Sequence, residues 1–108
     1  YADLSIMMLS GTGGGIQANI NRWRSQIGLS NQGIVEINNS AEYRTCKIGD
    51  YKGFEIINPN NMSMAFLCSV IPTGDSTIFV KLSITPNAVD EVKSDFFKFC
   101  DSFKLDYE

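Results

Sequence analysis

Apolar Leu4, Ile6 and Met8 alternate with Asp3, Ser5 and Met7, a period of two that predicts a strand at the start of the chain. Gly11-Thr12-Gly13-Gly14-Gly15 breaks it. The period then changes: Ile16, Ile20, Trp23 and Ile27 fall on one stripe of an amphipathic helix, and Gly28 suits the position just past its end. Residues 29–41 are polar and Asn-rich and read as a loop, with a short turn at Ile34-Val35-Glu36-Ile37. Residues 42–48 and 51–57 are set for a hairpin around Gly49-Asp50, followed by a turn at Asn58-Pro59-Asn60-Asn61. Residues 64–71 are apolar on both alternating faces, as a central strand covered on both sides should be. After Pro72-Thr73-Gly74-Asp75, Ile78, Val80, Leu82 and Ile84 alternate through a further strand. Asn87 is placed to cap a last helix, with Asp90 and Glu91 in its first turn. Its buried stripe is Val89, Val92, Phe96, Phe99 or Cys100, and Phe103; Lys93, Asp95, Lys98 and Asp101 form its wet face. The order β-α-β-β-β-β-α predicts an α+β domain, an antiparallel or mixed sheet with two long helices packed on it.

Composition narrows the function classes. The 108 residues are one domain, residues 1–108, long enough to bury roughly 65% of the unfolded surface without staples. Nine Lys and Arg against twelve Asp and Glu give a net charge of −3, which argues against a nucleic-acid partner. Histidine is absent, which removes His-based acid–base chemistry and most zinc sites. No run of 18 apolar residues is present, so no transmembrane segment is expected. Cys46, Cys68 and Cys100 match no CxxC pattern. Cys68 and Cys100 sit in apolar surroundings and read as small buried hydrophobes, although one disulfide with one thiol left over stays open.

Candidate chemistry is sparse. The glycines Gly13, Gly14 and Gly15 precede a helix, where backbone N–H groups attract anions. The loop lacks the Lys-Ser/Thr of a Walker loop and is not G-x-G-x-x-G, so a tight connection is the simpler reading. In the next helix Asn19, Asn21, Arg22, Arg24 and Gln26 surround the single Trp23. They form either a recognition face that grips carboxylate or phosphate, or a structural set in which Trp23 anchors the core and Arg22 and Gln26 bond loop carbonyls. The second is favoured because Trp23 lies on the apolar stripe. No catalytic constellation is marked, no metal site or cofactor is implied, and an enzyme is not expected; a Ser-Lys arrangement using Lys81 would be the remaining route to a hydrolase.

The run Asn19-Ile20-Asn21-Arg22-Trp23-Arg24-Ser25-Gln26-Ile27-Gly28-Leu29 resembles the N-[VI]-N-R-W-R-x-Q-[ILV]-G-L signature of a family of small bacterial proteins of unknown function. Many of its members are predicted lipoproteins or secreted proteins with a PsbP/Mog-like α/β/α sandwich. Gly13-Gly14, Thr77-Ile78-Phe79-Val80-Lys81-Leu82 and the segment from Val89 to Phe103 are similar, in order, to further family stretches. The likeness spans about residues 3–105. One departure is Ser83-Ile84-Thr85-Pro86, where the family's strand runs on into Thr-Gly-Pro.

The resemblance implies a non-catalytic, extracytoplasmic domain of the periplasm or cell envelope that binds a protein or supports an envelope assembly. PsbP relatives are extrinsic subunits of photosynthetic membranes, and Mog-type relatives bind a small GTPase. The family also carries upstream strands and a signal or lipid-attachment segment. Since the chain enters a strand directly from Tyr1, its first strand is expected either to pair with a second copy or to be completed by a separate N-terminal segment. The alternative function is a small-molecule or anion-binding module built on Gly13, Gly14, Gly15 and the adjacent Arg22 and Arg24.

Overall fold

The computed structural model describes residues 2–105; Tyr1, on which the expectation of a lost upstream segment falls, lies outside them. The chain runs through β1 (Ala2–Ser10), α1 (Ile16–Gln26), α2 (Ile34–Ser40), β2 (Glu42–Thr45), β3 (Asp50–Ile56), β4 (Ala65–Pro72), β5 (Ser76–Ile84) and α3 (Val89–Asp101), the last entered through a 3-10 turn at Pro86–Ala88. The five strands form one sheet in the order β1-β5-β4-β3-β2, and every neighbouring pair is antiparallel. The protein is therefore α+β, as the alternation of periods predicts.

β4 is the middle strand, and all of its residues but Pro72 are buried. Ala65, Leu67 and Ile71 point to the face covered by Val89, Phe96, Phe97 and Cys100 of α3. Phe66, Cys68 and Val70 point to the other face, under Ile20 and Trp23 of α1 and Ile37 of α2. A strand with two buried faces has no polar alternation to keep, which is why its sequence is apolar apart from Ser69.

Local signals explain most boundaries. The α1 helix ends in a Schellman arrangement: Gly28 at φ 82° donates to the Ser25 carbonyl and Leu29 to that of Arg24. Three details differ from expectation. The β2–β3 turn falls at residues 46–49, with Cys46 and Gly49 bonded backbone to backbone, and Asp50 already pairs with Thr45. Residues 34–40 form a true helix, α2, whose Glu36 side chain accepts from the Gly33 N–H at 3.2 Å and whose Ile37 is fully buried. Asn87 does not cap α3; Pro86 starts a 3-10 turn, which puts Ala88 in the cap position without a side-chain bond. Asp90 and Glu91 do occupy the first turn of α3. Among the described residues, no helix is long and apolar enough to cross a membrane.

Candidate functional site

The helix motif serves the fold at most of its positions. Asn19 is 2% exposed and donates to the Gly13 and Gly15 carbonyls at 3.1 and 2.7 Å, holding the glycine loop shut. Gly13 has φ 60°, and a Cβ there would stand 2.6 Å from the Phe79 ring, so the loop is glycine-rich because it turns tightly against the sheet. Asn21 exchanges two bonds with the backbone of Gln32, at 2.9 and 2.8 Å. Arg24 donates to the Ser30 carbonyl at 2.8 Å. The 28–33 loop is thus clamped to α1 before α2 begins.

Trp23 is 3% exposed and meets Phe79 edge-on at 6.2 Å. Lys81 donates to Gln26 at 3.2 Å and lies 4.7 Å from the Phe66 ring and 5.8 Å from that of Trp23. It is committed to this cation–π site rather than to a serine. The expected bonds of Arg22 and Gln26 to loop carbonyls are not made among the described residues: the carbonyl contact belongs to Arg24, and Gln26 accepts from Lys81. Arg22 lies against the Trp23 ring at 5.9 Å and forms no ion pair among the described residues.

Of the eight candidate binding residues, Gly14, Gly15, Asn21 and Arg22 share an open groove of about 730 Å³ beside the start of α1. Gly13, Asn19, Arg24 and Gln26 lie outside it. The helix N-terminus there has no side-chain cap. Arg22 and Gln26 also line a second, smaller hollow, with Ser5, Met7 and Leu9 of β1.

β1 is the feature that the periodicity concealed. It pairs along its whole length with β5, from Ala2↔Ile84 to Ser10↔Ser76. Its outer edge has no strand partner among the described residues. All nine residues are exposed, including Leu4, Ile6, Met7, Met8 and Leu9 at 36–57%. Leu4, Ile6 and Met8 stand opposite Leu82, Val80 and Ile78, on the α3 face of the sheet; Met7 and Leu9 stand opposite Phe79 and Thr77, on the α1 face. Alternation on the sequence implies one covered face. Here neither helix reaches far enough across the sheet to supply it.

The far side of the molecule is pinned by charge. Arg44 grips Asp101 through two bonds, at 3.1 and 2.7 Å, reaches Glu42 at 2.5 Å, and lies over the Phe97 ring. Tyr51 donates to Asp101 at 2.6 Å. The Arg44 guanidinium and the Tyr51 hydroxyl hold the Asp101 carboxyl below the usual range, while burial, reinforced by the bond to Asp101, raises the Tyr51 hydroxyl. Asp101 therefore leaves the wet face expected of it.

All three thiols are free and buried. Burial pushes Cys100 up to about 11, despite the hydrogen bond it accepts from Ser69 at 3.2 Å, and pushes Cys68 higher still. Comparison with protein families, with curated sequences and with solved structures finds no significant match to this chain.

Proposed function

We propose that the protein is a non-catalytic binding domain that takes an extended segment of a protein partner onto the outer edge of β1. A single observation carries this: nine consecutive strand residues, five of them large and apolar, stand in water along an edge with no strand partner among the described residues. Such an edge gives affinity through main-chain bonds and specificity through alternate side chains. A binding role agrees with what the resemblance to PsbP/Mog-like proteins implies, and an extracytoplasmic setting is supported by that resemblance alone.

The test uses a peptide with an uncharged core of alternating valine and threonine, flanked by lysines for solubility, and follows amide exchange. The outward amides of β1 should gain at least about tenfold protection while β2 stays unchanged. Saturating peptide that leaves β1 exchange untouched would refute edge binding.

A second function has one observation in its favour: the uncapped start of α1 opens on the groove that holds Arg22. Anion binding there predicts that inorganic phosphate shifts the amide resonances of Ile16, Gln17 and Ala18, and that Arg22→Gln removes the shift.

A further inference from the structure

We infer that the occupant of the β1 edge is a second copy of this chain, paired antiparallel about a two-fold axis at Ile6, which joins two five-stranded sheets into one of ten. The inference rests on the edge-binding function proposed above and names its partner.

The strand is its own complement in one register. A two-fold axis normal to the sheet keeps each face on its own side, so every cross-strand pair joins residues of the same face. Centred on Ile6, the axis overlaps all nine residues. On the α3 face it places Leu4 opposite Met8 of the other copy, Ile6 opposite Ile6, and Met8 opposite Leu4, so each large apolar side chain meets another. Moving the centre to Met7 sets Leu4 against Ser10; moving it to Ser5 sets Met8 against Ala2. Only the Ile6 register keeps the apolar ladder whole.

Charge agrees with the same register. Asp3 is the only charged residue of β1, and the axis keeps the two Asp3 side chains apart, each opposite Leu9 of the other copy. Leu9 lines the same hollow as Arg22, the one arginine of the helix motif that holds neither a carbonyl nor a carboxylate among the described residues. Each Asp3 is thereby brought to the Arg22 side of the opposing copy, twice by symmetry.

The geometry of the edge permits the approach. β1 matches β5 residue for residue, with no bulge to twist it away, and it contains no proline. Pairing through one nine-residue strand makes a small interface, at or below the roughly 1,200 Å² where standard stable interfaces begin, which sets the test at micromolar concentration. On α3, Phe99 is 42% exposed and packs edge-on against Phe103.

Cysteine cross-linking in the 108-residue chain reads the register directly, because the three native thiols are buried. Ile6→Cys should give a covalent dimer of twice the monomer mass under mild oxidation, and Asp3→Cys should not. A mixture of Leu4→Cys and Met8→Cys chains should cross-link, whereas each alone should not. In sedimentation at micromolar concentration the parent chain should run as a dimer that the valine–threonine peptide dissociates. Ile6→Lys should be a folded monomer by circular dichroism, and Asp3→Arg should dissociate the dimer more readily at low salt than at high salt. A parent chain that stays monomeric at these concentrations overturns the inference. If that monomer still binds the peptide on β1, edge binding stands and the partner is another protein; if it does not, both fall. Equally decisive would be cross-linking through Asp3→Cys alone, or a longer form of the chain in which an upstream segment protects β1 and no dimer forms.

Discussion

The two edges of the sheet are built on opposite plans. β2 has four residues, two of them charged, and its Arg44 is tied to α3 through Asp101 and spread over Phe97. β1 has nine residues, one of them charged, and nothing among the described residues covers its outer side. A short charged strand stapled to a helix is how a monomer closes an edge; a long apolar one is how an edge is kept for pairing. The contrast separates interactions that hold the fold from those left for a partner. It can be broken at either end.

The largest effect is expected where the sheet beside β1 is covered. Trp23→Ala removes the ring that packs on Phe79 and should cost about 3–5 kcal/mol in denaturant unfolding. A loss under about 1 kcal/mol would put Trp23 outside the core and return the motif to a recognition role. Next comes Gly53, where an added Cβ runs into the Phe97 ring that covers the β2 side. Gly53→Ala should destabilise by about 1–3 kcal/mol through overpacking, and Phe97→Leu in the same chain should restore part of it.

Smaller still is the Arg44–Asp101 clamp, which is partly solvated. Asp101→Asn should cost roughly 1 kcal/mol at neutral pH. The folded carboxyl lies below its unfolded value of 3.8, so its contribution is complete above that value and is lost as pH falls through the depressed folded one. Parent and Asp101→Asn stabilities should therefore converge in acid; a constant gap would mean that the loss was one of packing. The smallest change in fold stability belongs to Ile6→Lys, within about 0.5 kcal/mol for the monomer, because that side chain is 52% exposed. Unfolding in dilute solution, below the association range, separates this from its effect on pairing.

Much of the fold was legible because short-range rules decide it. The stripe of Ile16, Ile20, Trp23 and Ile27, the stop at Gly28 and the two-sided burial of residues 65–71 each follow from local pattern. The α2 helix escaped because Asn38, Asn39 and Ser40 favour turns and only Ile37 is fully buried; the loop ahead of it is held by the clamp of Asn21 on Gln32, 11 residues apart in sequence. The binding edge was half legible. Leu4, Ile6 and Met8 announced a strand, but their exposure depends on how far α3 spreads over the sheet, which no window of sequence contains. In the Asn19–Gln26 motif the favoured structural reading could be drawn from the apolar stripe, but which loop each polar residue holds could not: the carbonyl contact falls to Arg24 rather than Arg22.

The strand order also dictates a timetable for assembly. β2 to β5 are sequential neighbours and can zip as successive hairpins, whereas β1 must wait for a partner 66 residues downstream at its nearest pair (76 − 10) and 82 at its farthest (84 − 2). On a ribosome adding about 5–20 residues per second, that interval is roughly 3–16 s. Throughout it a strand carrying five large apolar side chains is synthesised and unclaimed, next to the nascent strands of neighbouring ribosomes. The segment that completes the sheet is also the one most exposed to premature pairing, which makes translation speed and chaperone access determinants of its yield.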